Sequence, residues 1–165
     1  MRQLVSVAGV VPDRWIYLGE LAGATSAVTH LILPWAEWQK GPDPWRGRAA
    51  RLGVAVPPET PCSALQPALD ALSLVVIAFP SVSEGRGYSL ARQLRERARF
   101  SGELRASGEI FRDHVLFLAR CGFDSFEISA RESPDEAFAA LGSYTVASQA
   151  VRTEPQALGL VRRQL

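Results

Sequence analysis

Apolar residues in the last two-thirds of the chain follow two alternating patterns. Short apolar runs are typical of strands buried on both faces, and the segments between them carry apolar residues every three or four positions, as amphipathic helices do. The strands are predicted at 54–56, 74–79, 103–106 and 124–129. The helices are predicted at 63–70, from Ser89 to about Arg99, from about Glu109 to Gly122, and from Pro134 onward. Four consecutive βα units predict an α/β fold with a parallel sheet or half-barrel and right-handed crossovers.

The N-terminal third has a different pattern, which predicts a small β-rich elaboration. Residues 4–9 and 15–18 are predicted to form a hairpin around a turn at 12–13, and residues 31–33 to form a short buried strand. The segment 35–45 carries three tryptophans among glycines and prolines, and predicts a loop with a helical turn on either side. Clustered tryptophans more often fill a core, although they are also enriched at partner-binding surfaces.

These patterns predict a single α/β domain over residues 1–153. It consists of the N-terminal elaboration (1–52) and the βα core (53–150), and a flexible tail follows at 154–165. A half-barrel leaves two open sheet edges, which proteins usually cover or pair. We therefore expect a homodimer or a larger partner.

Composition and charge place the chain among ordinary globular proteins. Hydrophobic residues make up 47% and charged residues 21%, which argues against disorder, and a net charge of +1 supplies no basic field for nucleic acid. No apolar run reaches the roughly 18 residues that a membrane helix needs, and the N-terminus lacks the pattern of a signal peptide. We expect a cytoplasmic protein that binds neither nucleic acid nor membranes.

The cysteines and histidines are too few and too scattered to predict a metal site. Cys62 and Cys121 lack C-x-x-C spacing and are expected to be reduced thiols. The cation of Arg120 favours a reactive Cys121, whereas the C-terminal end of a helix and its apolar face favour a structural role. His114 lies on the apolar side of the same helix, where a core histidine is the commoner interpretation.

The loop from Glu84 to Ser89 carries the clearest candidate binding site. In consecutive βα units every strand-to-helix loop leaves the same edge of the sheet. This loop offers two glycines, the guanidinium fork of Arg86 and the amides of a helix N-terminus, which together suit a small anion. It is not a dinucleotide fingerprint, because Leu90 stands where the third glycine belongs. The alternative is a tight turn in which Arg86 pairs with Glu84.

Arg105 is expected to join this site from the end of the next strand. A buried arginine there needs an anionic partner, which is either a ligand oxyanion or the carboxylate of Glu84, Glu103 or Glu109. Glu84 and Glu109 are the candidate catalytic acid or base. The predicted ligand-binding residues are Arg86, Gly87, Tyr88, Ser89, Arg105 and Ser107.

The central part of the chain resembles a bacterial family of unknown function whose members are commonly labelled as oxidoreductases probably involved in sulfite reduction. The likeness is strongest between 74 and 128. Many relatives carry Asp where this chain has Glu84 and Gln where it has His114. The motifs that carry the resemblance are Phe79-Pro80, Gly85-Arg86-Gly87-Tyr88-Ser89-Leu90-Ala91-Arg92, Leu94-Arg95-Glu96-Arg97, Gly102-Glu103-Leu104-Arg105-Ala106-Ser107-Gly108 and Arg120-Cys121-Gly122-Phe123-Asp124.

The resemblance implies a role beside assimilatory sulfite reduction in the cytoplasm. The first hypothesis is an accessory factor or enzyme that binds a small anion such as sulfite or sulfate at the Arg86–Ser89 loop. No cofactor is identified, so any electron transfer would need a bound flavin, a nicotinamide or a partner protein. The second hypothesis is a non-catalytic subunit that docks onto a sulfite reductase or its electron donor through the Trp35–Trp45 region. Residues 13–15 could close over the site.

Overall fold

The computed structural model describes residues 2–21, 28–81 and 84–142, which are organised by one eight-stranded sheet. The spatial order of the strands is β2-β1-β8-β7-β6-β5-β4-β3. Strands β3 to β8 run parallel to one another. Strand β1 pairs antiparallel with β8, and β2 pairs antiparallel with β1. The strands are β1 (Gln3–Ser6), β2 (Gly9–Val11), β3 (Ile16–Tyr17), β4 (Val28–Pro34), β5 (Ala49–Val56), β6 (Leu74–Phe79), β7 (Glu103–Gly108) and β8 (Ser125–Ile128).

The sheet is curled into a half-barrel. Strands β3 and β8 are five strand spacings apart in the sheet, which on a flat sheet would separate them by about 24 Å. Nevertheless the Tyr17 hydroxyl on β3 donates a hydrogen bond of 2.7 Å to the Glu127 carboxylate on β8. The segment from Pro12 to Trp15 crosses the open side between these strands, because β2 lies at one edge of the sheet and β3 at the other.

The helices cover the convex face of the sheet. Their apolar faces and alternate strand residues form the main core, with Val54, Ile77, Leu104 and Phe126 as its strand contribution. The helices of the described residues are α1 (Trp35–Gln39), α2 (Asp43–Arg46), α3 (Cys62–Leu65), α4 (Gly85–Glu96), α5 (Arg112–Arg120) and α6 (Pro134–Gly142), with 3₁₀ segments at Leu18–Glu20 and Gln66–Ala71.

The concave face carries the opposite residues of each strand. A small second core lies there, made of Trp15, Ile32, Leu74 and Val76, on the side of β3 to β6. The strands on the other side, β7 and β8, instead present polar side chains to this face. The concave face is therefore apolar on one half and charged on the other.

The predicted half-barrel built from four βα units is confirmed, and so is the small β-rich N-terminal part. Strands β1 to β4 extend the same sheet, and its two edges are formed by the shortest strands described, β2 and β3. Short edge strands limit the backbone that is open to further pairing. The start of α6 is also as predicted, since Ser133 Oγ accepts the backbone N–H of Glu136.

Three local predictions were wrong. The N-terminal hairpin turns at Val7 and Ala8, not at residues 12–13, because those residues cross the half-barrel and β3 pairs in parallel with β4. The helix at 63–70 divides into α3 and a 3₁₀ segment, because Pro67 has no N–H for an α-helical bond. Helix α4 begins at Gly85, four residues before Ser89, because Glu84 caps it. The predicted tail at 154–165 lies outside the described residues.

Candidate functional site

The predicted loop at the carboxyl end of β6 is neutralised by its own residues. Arg86 Nε and Nη2 donate to the two carboxylate oxygens of Glu84, each at 2.7 Å, and Glu84 also accepts the backbone N–H of Arg86 at 3.2 Å. The hydrogen bond from Arg86 lowers the pKa of Glu84. The carboxylate therefore accepts hydrogen bonds from both the guanidinium group and a backbone amide at the helix N-terminus. This is the tight-turn alternative predicted for the loop.

The next three predicted ligand-binding residues lie inside the first turns of α4. Gly87 packs against the ring of Phe79, and Tyr88 lies with its ring centroid 5.1 Å from that of Phe79 and 5.0 Å from that of Phe117. The Ser89 hydroxyl donates to the Gly85 carbonyl at 3.4 Å. All three residues thus have a role in building or packing the helix.

The remaining predicted residues are divided between two places. Glu109 is exposed at the carboxyl end of β7, where its backbone N–H donates to the Phe79 carbonyl at 3.0 Å. Ser107 and Arg105 lie on the concave face, opposite in the pleat to the core residues Leu104 and Ala106. Arg105 and Arg86 bind different carboxylates, and among the described residues they share no hydrogen-bond partner.

Arg105 is the centre of a buried polar cluster. Its side chain is 1% exposed and makes ion pairs with Glu103 at 3.0 Å, Asp13 at 3.1 Å and Glu127 at 3.2 Å. Burial by itself lowers the pKa of Arg105, but the three carboxylates outweigh this and raise it. Glu103 was among the partners predicted from the sequence. Asp13 and Glu127 were not among them.

Two more residues connect this cluster to the open side of the half-barrel. Arg2 Nε donates to Asp13 at 2.9 Å, and Arg2 also contacts the carboxylate of Glu20. Tyr17 donates to Glu127, and both its burial and that carboxylate raise the pKa of the phenol. Because these contacts join β3 and the 12–15 segment to β7 and β8, the cluster closes the half-barrel.

A cavity of about 1020 Å³ opens at the amino ends of the parallel strands. The strand ends from β4 to β8 line it, and so does the turn between β1 and β2. Arg14 and Arg51 are exposed on its wall, and within the described part of the chain neither side chain has an ion-pair or hydrogen-bond partner. This cavity lies at the end of the sheet opposite to the predicted loop.

The cavity wall also contains carboxylates and aromatic rings. Glu103 and Asp124 both line it while they accept bonds from Arg105 and Arg95, respectively. His30, which pairs with Arg51 in the β4–β5 register, and Trp15 also line it, with their ring centroids 5.0 Å apart and the rings edge to face. The wall therefore offers guanidinium groups, carboxylates and an aromatic surface to one ligand.

The thiols and His114 have structural surroundings. Burial raises the pKa of both Cys62 and Cys121, which disfavours the reactive thiolate. The His114 ring is half-buried, and its Nδ1 accepts the Phe111 backbone N–H at 3.4 Å, at the start of α5. No group of three or more His, Cys, Asp or Glu suited to a metal ion occurs among the residues that the structure describes.

The tryptophans of the 35–45 segment contribute to the core. Trp38 is 8% exposed, and Trp35 and Trp45 are partly buried against the same core cluster. This agrees with the interpretation that these tryptophans fill the core, which was the commoner of the two given for the segment. Over the described ranges, no helix has the length and apolar character needed to cross a membrane.

Comparison with known proteins identifies a family over most of the chain. The family model for a bacterial protein of unknown function (DUF934) matches residues 53–159, which begins where the βα core was predicted to begin. No curated protein matches the chain. The resemblance to a bacterial family of unknown function is confirmed by this match. Because the family model matches more than half of the residues of the chain, the chain belongs to the DUF934 family of bacterial proteins.

Proposed function

We propose that this protein binds a small anion and serves bacterial sulfite and sulfate reduction as an accessory factor or enzyme. The link to sulfite reduction rests on the label commonly given to the family that the chain resembles. The link to an anion rests on the cavity at the amino ends of the strands, which is the site that the geometry favours.

One observation carries the proposal: two arginines face the same cavity and have no partner among the residues that the structure describes. Arg14 and Arg51 have no carboxylate neighbour bonded to them within the described residues, whereas Arg86, Arg95 and Arg105 are all paired. A guanidinium group presents a rigid fork of N–H donors that fits the oxygens of sulfite or sulfate. Two such groups on the wall of one cavity supply positive charge that no described residue pairs with.

The loop at the carboxyl end of β6 is the competing site for the same anion. There Arg86 would have to exchange the Glu84 carboxylate for a ligand, and Glu59 adds a further negative charge nearby. An exposed ion pair is weak, so the exchange is not costly. However, each bond that Arg86 makes to a ligand replaces a bond that it already makes to Glu84, so the net gain in binding energy is small. The cavity arginines lose no such bond, which favours the cavity.

A thermal-shift series distinguishes the two sites. Sulfite, sulfate and phosphate are titrated against the wild type, Arg14→Ala, Arg51→Ala and Arg86→Ala. The matched control is Arg131→Ala, which removes an exposed arginine that has no side-chain partner in the described part of the chain. We expect the anions to raise the melting temperature by mass action, by an amount equivalent to about 2.7 kcal/mol at one hundred times Kd.

The expected shift disappears in Arg14→Ala and Arg51→Ala and persists in Arg86→Ala and in the control. A shift that is lost only in Arg86→Ala would move the ligand to the carboxyl end of the sheet. The absence of any shift in the wild type would refute anion binding.

Growth of a gene-deletion strain tests the biological role. We expect the deletion to impair growth when sulfate is the sulfur source and to leave growth on cysteine intact. Restoring the wild-type gene should rescue growth, and the Arg51→Ala gene should not. Normal growth of the deletion strain on sulfate would contradict the link to sulfite reduction.

The docking hypothesis has less support from the structure. It relied on an exposed tryptophan surface at 35–45, and these side chains pack on the core instead. The homodimer stays a prediction that sedimentation of the purified chain can test. Recovery of a sulfite reductase with the tagged protein would support docking through some other surface.

A further inference from the structure

We infer that the amino-end cavity binds a nucleoside phosphate, with the phosphate on Arg14 and Arg51 and the nucleoside on the neighbouring His30 ring and the carboxylates of the wall. The inference rests on the proposed function, because it takes the same cavity and the same arginines as the anion site. It goes further in naming a class of ligand that is much larger than sulfite or sulfate.

The volume of the cavity is the first reason. Pockets that hold drug-sized organic ligands measure about 300–1,000 Å³, and this cavity, at about 1020 Å³, is slightly larger than that range. A bare sulfite or sulfate ion, or a small zwitterion, would leave most of the space to water. A nucleotide occupies more of this space and reaches more of the wall than an oxyanion does.

The distribution of charge is the second reason. Arg14 and Arg51 have no partner within the described ranges, while Glu103 and Asp124 line the same cavity and have side chains 30% and 44% exposed. Carboxylates repel a simple oxyanion, but they accept hydrogen bonds from the hydroxyl groups of a ribose. A ligand that carries an anionic end and a hydroxyl-rich middle uses both sets of side chains.

The aromatic part of the wall is the third reason. The buried Trp15 ring contacts the His30 ring edge to face, and His30, which is half-buried and adjacent to Arg51 in the sheet, lines the cavity. A nucleobase packs favourably on an aromatic or imidazole face. The cavity thus offers a cationic, an acidic and an aromatic surface, which correspond to the phosphate, ribose and base of a nucleotide.

Calorimetric titration of the full chain tests the inference with defined probes: AMP, adenosine, inorganic phosphate, sulfite and 2′,3′-dideoxy-AMP. We expect AMP to bind about tenfold or more tightly than either adenosine or phosphate. The dideoxy analogue should lose about tenfold in affinity, because it cannot donate to Glu103 or Asp124. Modifying the ligand avoids changes to these two carboxylates, which also hold the fold together.

The variants then locate the site. Arg51→Ala and Arg14→Ala should each lower the affinity for AMP by about tenfold and leave the affinity for adenosine unchanged. His30→Ala should lower the affinity for both ligands. Arg131→Ala serves as the control and should bind all probes as the wild type does. AMP binding that is insensitive to Arg14, Arg51 and His30 would place the nucleotide elsewhere and overturn the inference.

The outcomes separate this inference from the proposed function. If sulfite or phosphate binds as tightly as AMP and depends on Arg51, the nucleotide inference fails and the anion site stands. If no probe binds, both are refuted. If AMP binds with the expected dependence on phosphate, ribose hydroxyls and His30, the nucleotide inference is supported, and weaker binding of sulfite that also depends on Arg51 supports the anion site as well.

Discussion

The two ends of the parallel strands carry similar side chains but use them differently. At the carboxyl end, Arg86 pairs with Glu84 two positions away, and the arginine is 64% exposed. At the amino end and on the concave face beside it, Arg105 is fully buried and pairs with carboxylates from β7, β8 and the 12–15 segment. The first pair involves a single loop, whereas the second joins three parts of the fold.

This difference shows that the contribution of an ion pair to stability depends on its burial and on how far apart its partners are in the sequence. A local pair at the surface neutralises charge and contributes little to stability, since water and salt screen it. A buried group with distant partners cannot lose one of them without leaving an uncompensated charge in the interior. The half-barrel therefore depends on the Arg105 cluster for closure. The nearby cavity is lined by Arg14 and Arg51, for which the described part of the chain provides no partner.

The largest expected effect is the loss of the buried arginine. Arg105→Met should lower the free energy of unfolding by about 3–5 kcal/mol, because it leaves Glu103 and Glu127 without their cation and Asp13 with Arg2 alone. Arg86→Met is the matched control and should unfold at the same urea concentration as the wild type. Equal unfolding midpoints for the two variants would contradict the distinction between the two ends.

The next effect concerns Asp13 and depends on pH. Asp13→Asn should cost about 1.5–3 kcal/mol near neutral pH, because a hydrogen-bonded charge is lost between Arg2 and Arg105. Burial alone raises the pKa of Asp13, but Arg105, the Trp15 backbone N–H and Arg2 together lower it below its usual 3.8.

A depressed pKa means that this contribution is complete above 3.8 and declines as the pH falls towards the lower pKa of the folded state. Urea unfolding of the wild type and Asp13→Asn should therefore show a difference near neutral pH that shrinks at about pH 3. A difference that grows on acidification would mean that burial dominates and that the pKa of Asp13 is raised.

A smaller effect separates the two glycines of the carboxyl-end loop. A Cβ on Gly87 would lie 2.7 Å from the Phe79 ring, whereas a Cβ on Gly85 would meet no atom within 4 Å. Gly87→Ala should destabilise the fold by about 1–2 kcal/mol, since overpacking exceeds the gain in helix propensity. Gly85→Ala is the control, and thermal unfolding should show no loss of stability for it. Similar behaviour of both variants would exclude close packing of α4 on β6.

The sequence predicts the βα core well because the decisive information there is local. The apolar run of β6 and the Ser133-Pro134 start of α6 are each visible within a few residues, and the order of the units determines the parallel sheet. The carboxyl-end loop is equally local. Its alternative interpretation, Arg86 paired with Glu84, needed no information from elsewhere in the chain.

The amino-end cavity and its polar cluster could not be predicted in the same way. Strand alternation does place Glu103, Arg105 and Glu127 on one face, so Glu127 was a partner that the pattern of β8 could have indicated. Asp13 is different, because its contact with Arg105 requires the 12–15 segment to cross the half-barrel and join β3 to β4. That pairing of a two-residue strand leaves no periodic signal.

The variant with the smallest expected effect on stability tests whether pairing with Glu84 prevents Arg86 from binding an anion weakly. Glu84→Gln removes the negative charge from the exposed carboxyl-end loop and keeps an oxygen that can accept the Arg86 backbone N–H. We expect an unchanged melting temperature without anions and a new, weak stabilisation by sulfate, because Arg86 then lacks an ionic partner. The double variant Glu84→Gln with Arg86→Ala should lose that stabilisation while retaining the response of the cavity. If the single variant responds to sulfate as the wild type does, the carboxyl end has no latent affinity for anions, and the glycines and arginine of its loop serve only to start α4.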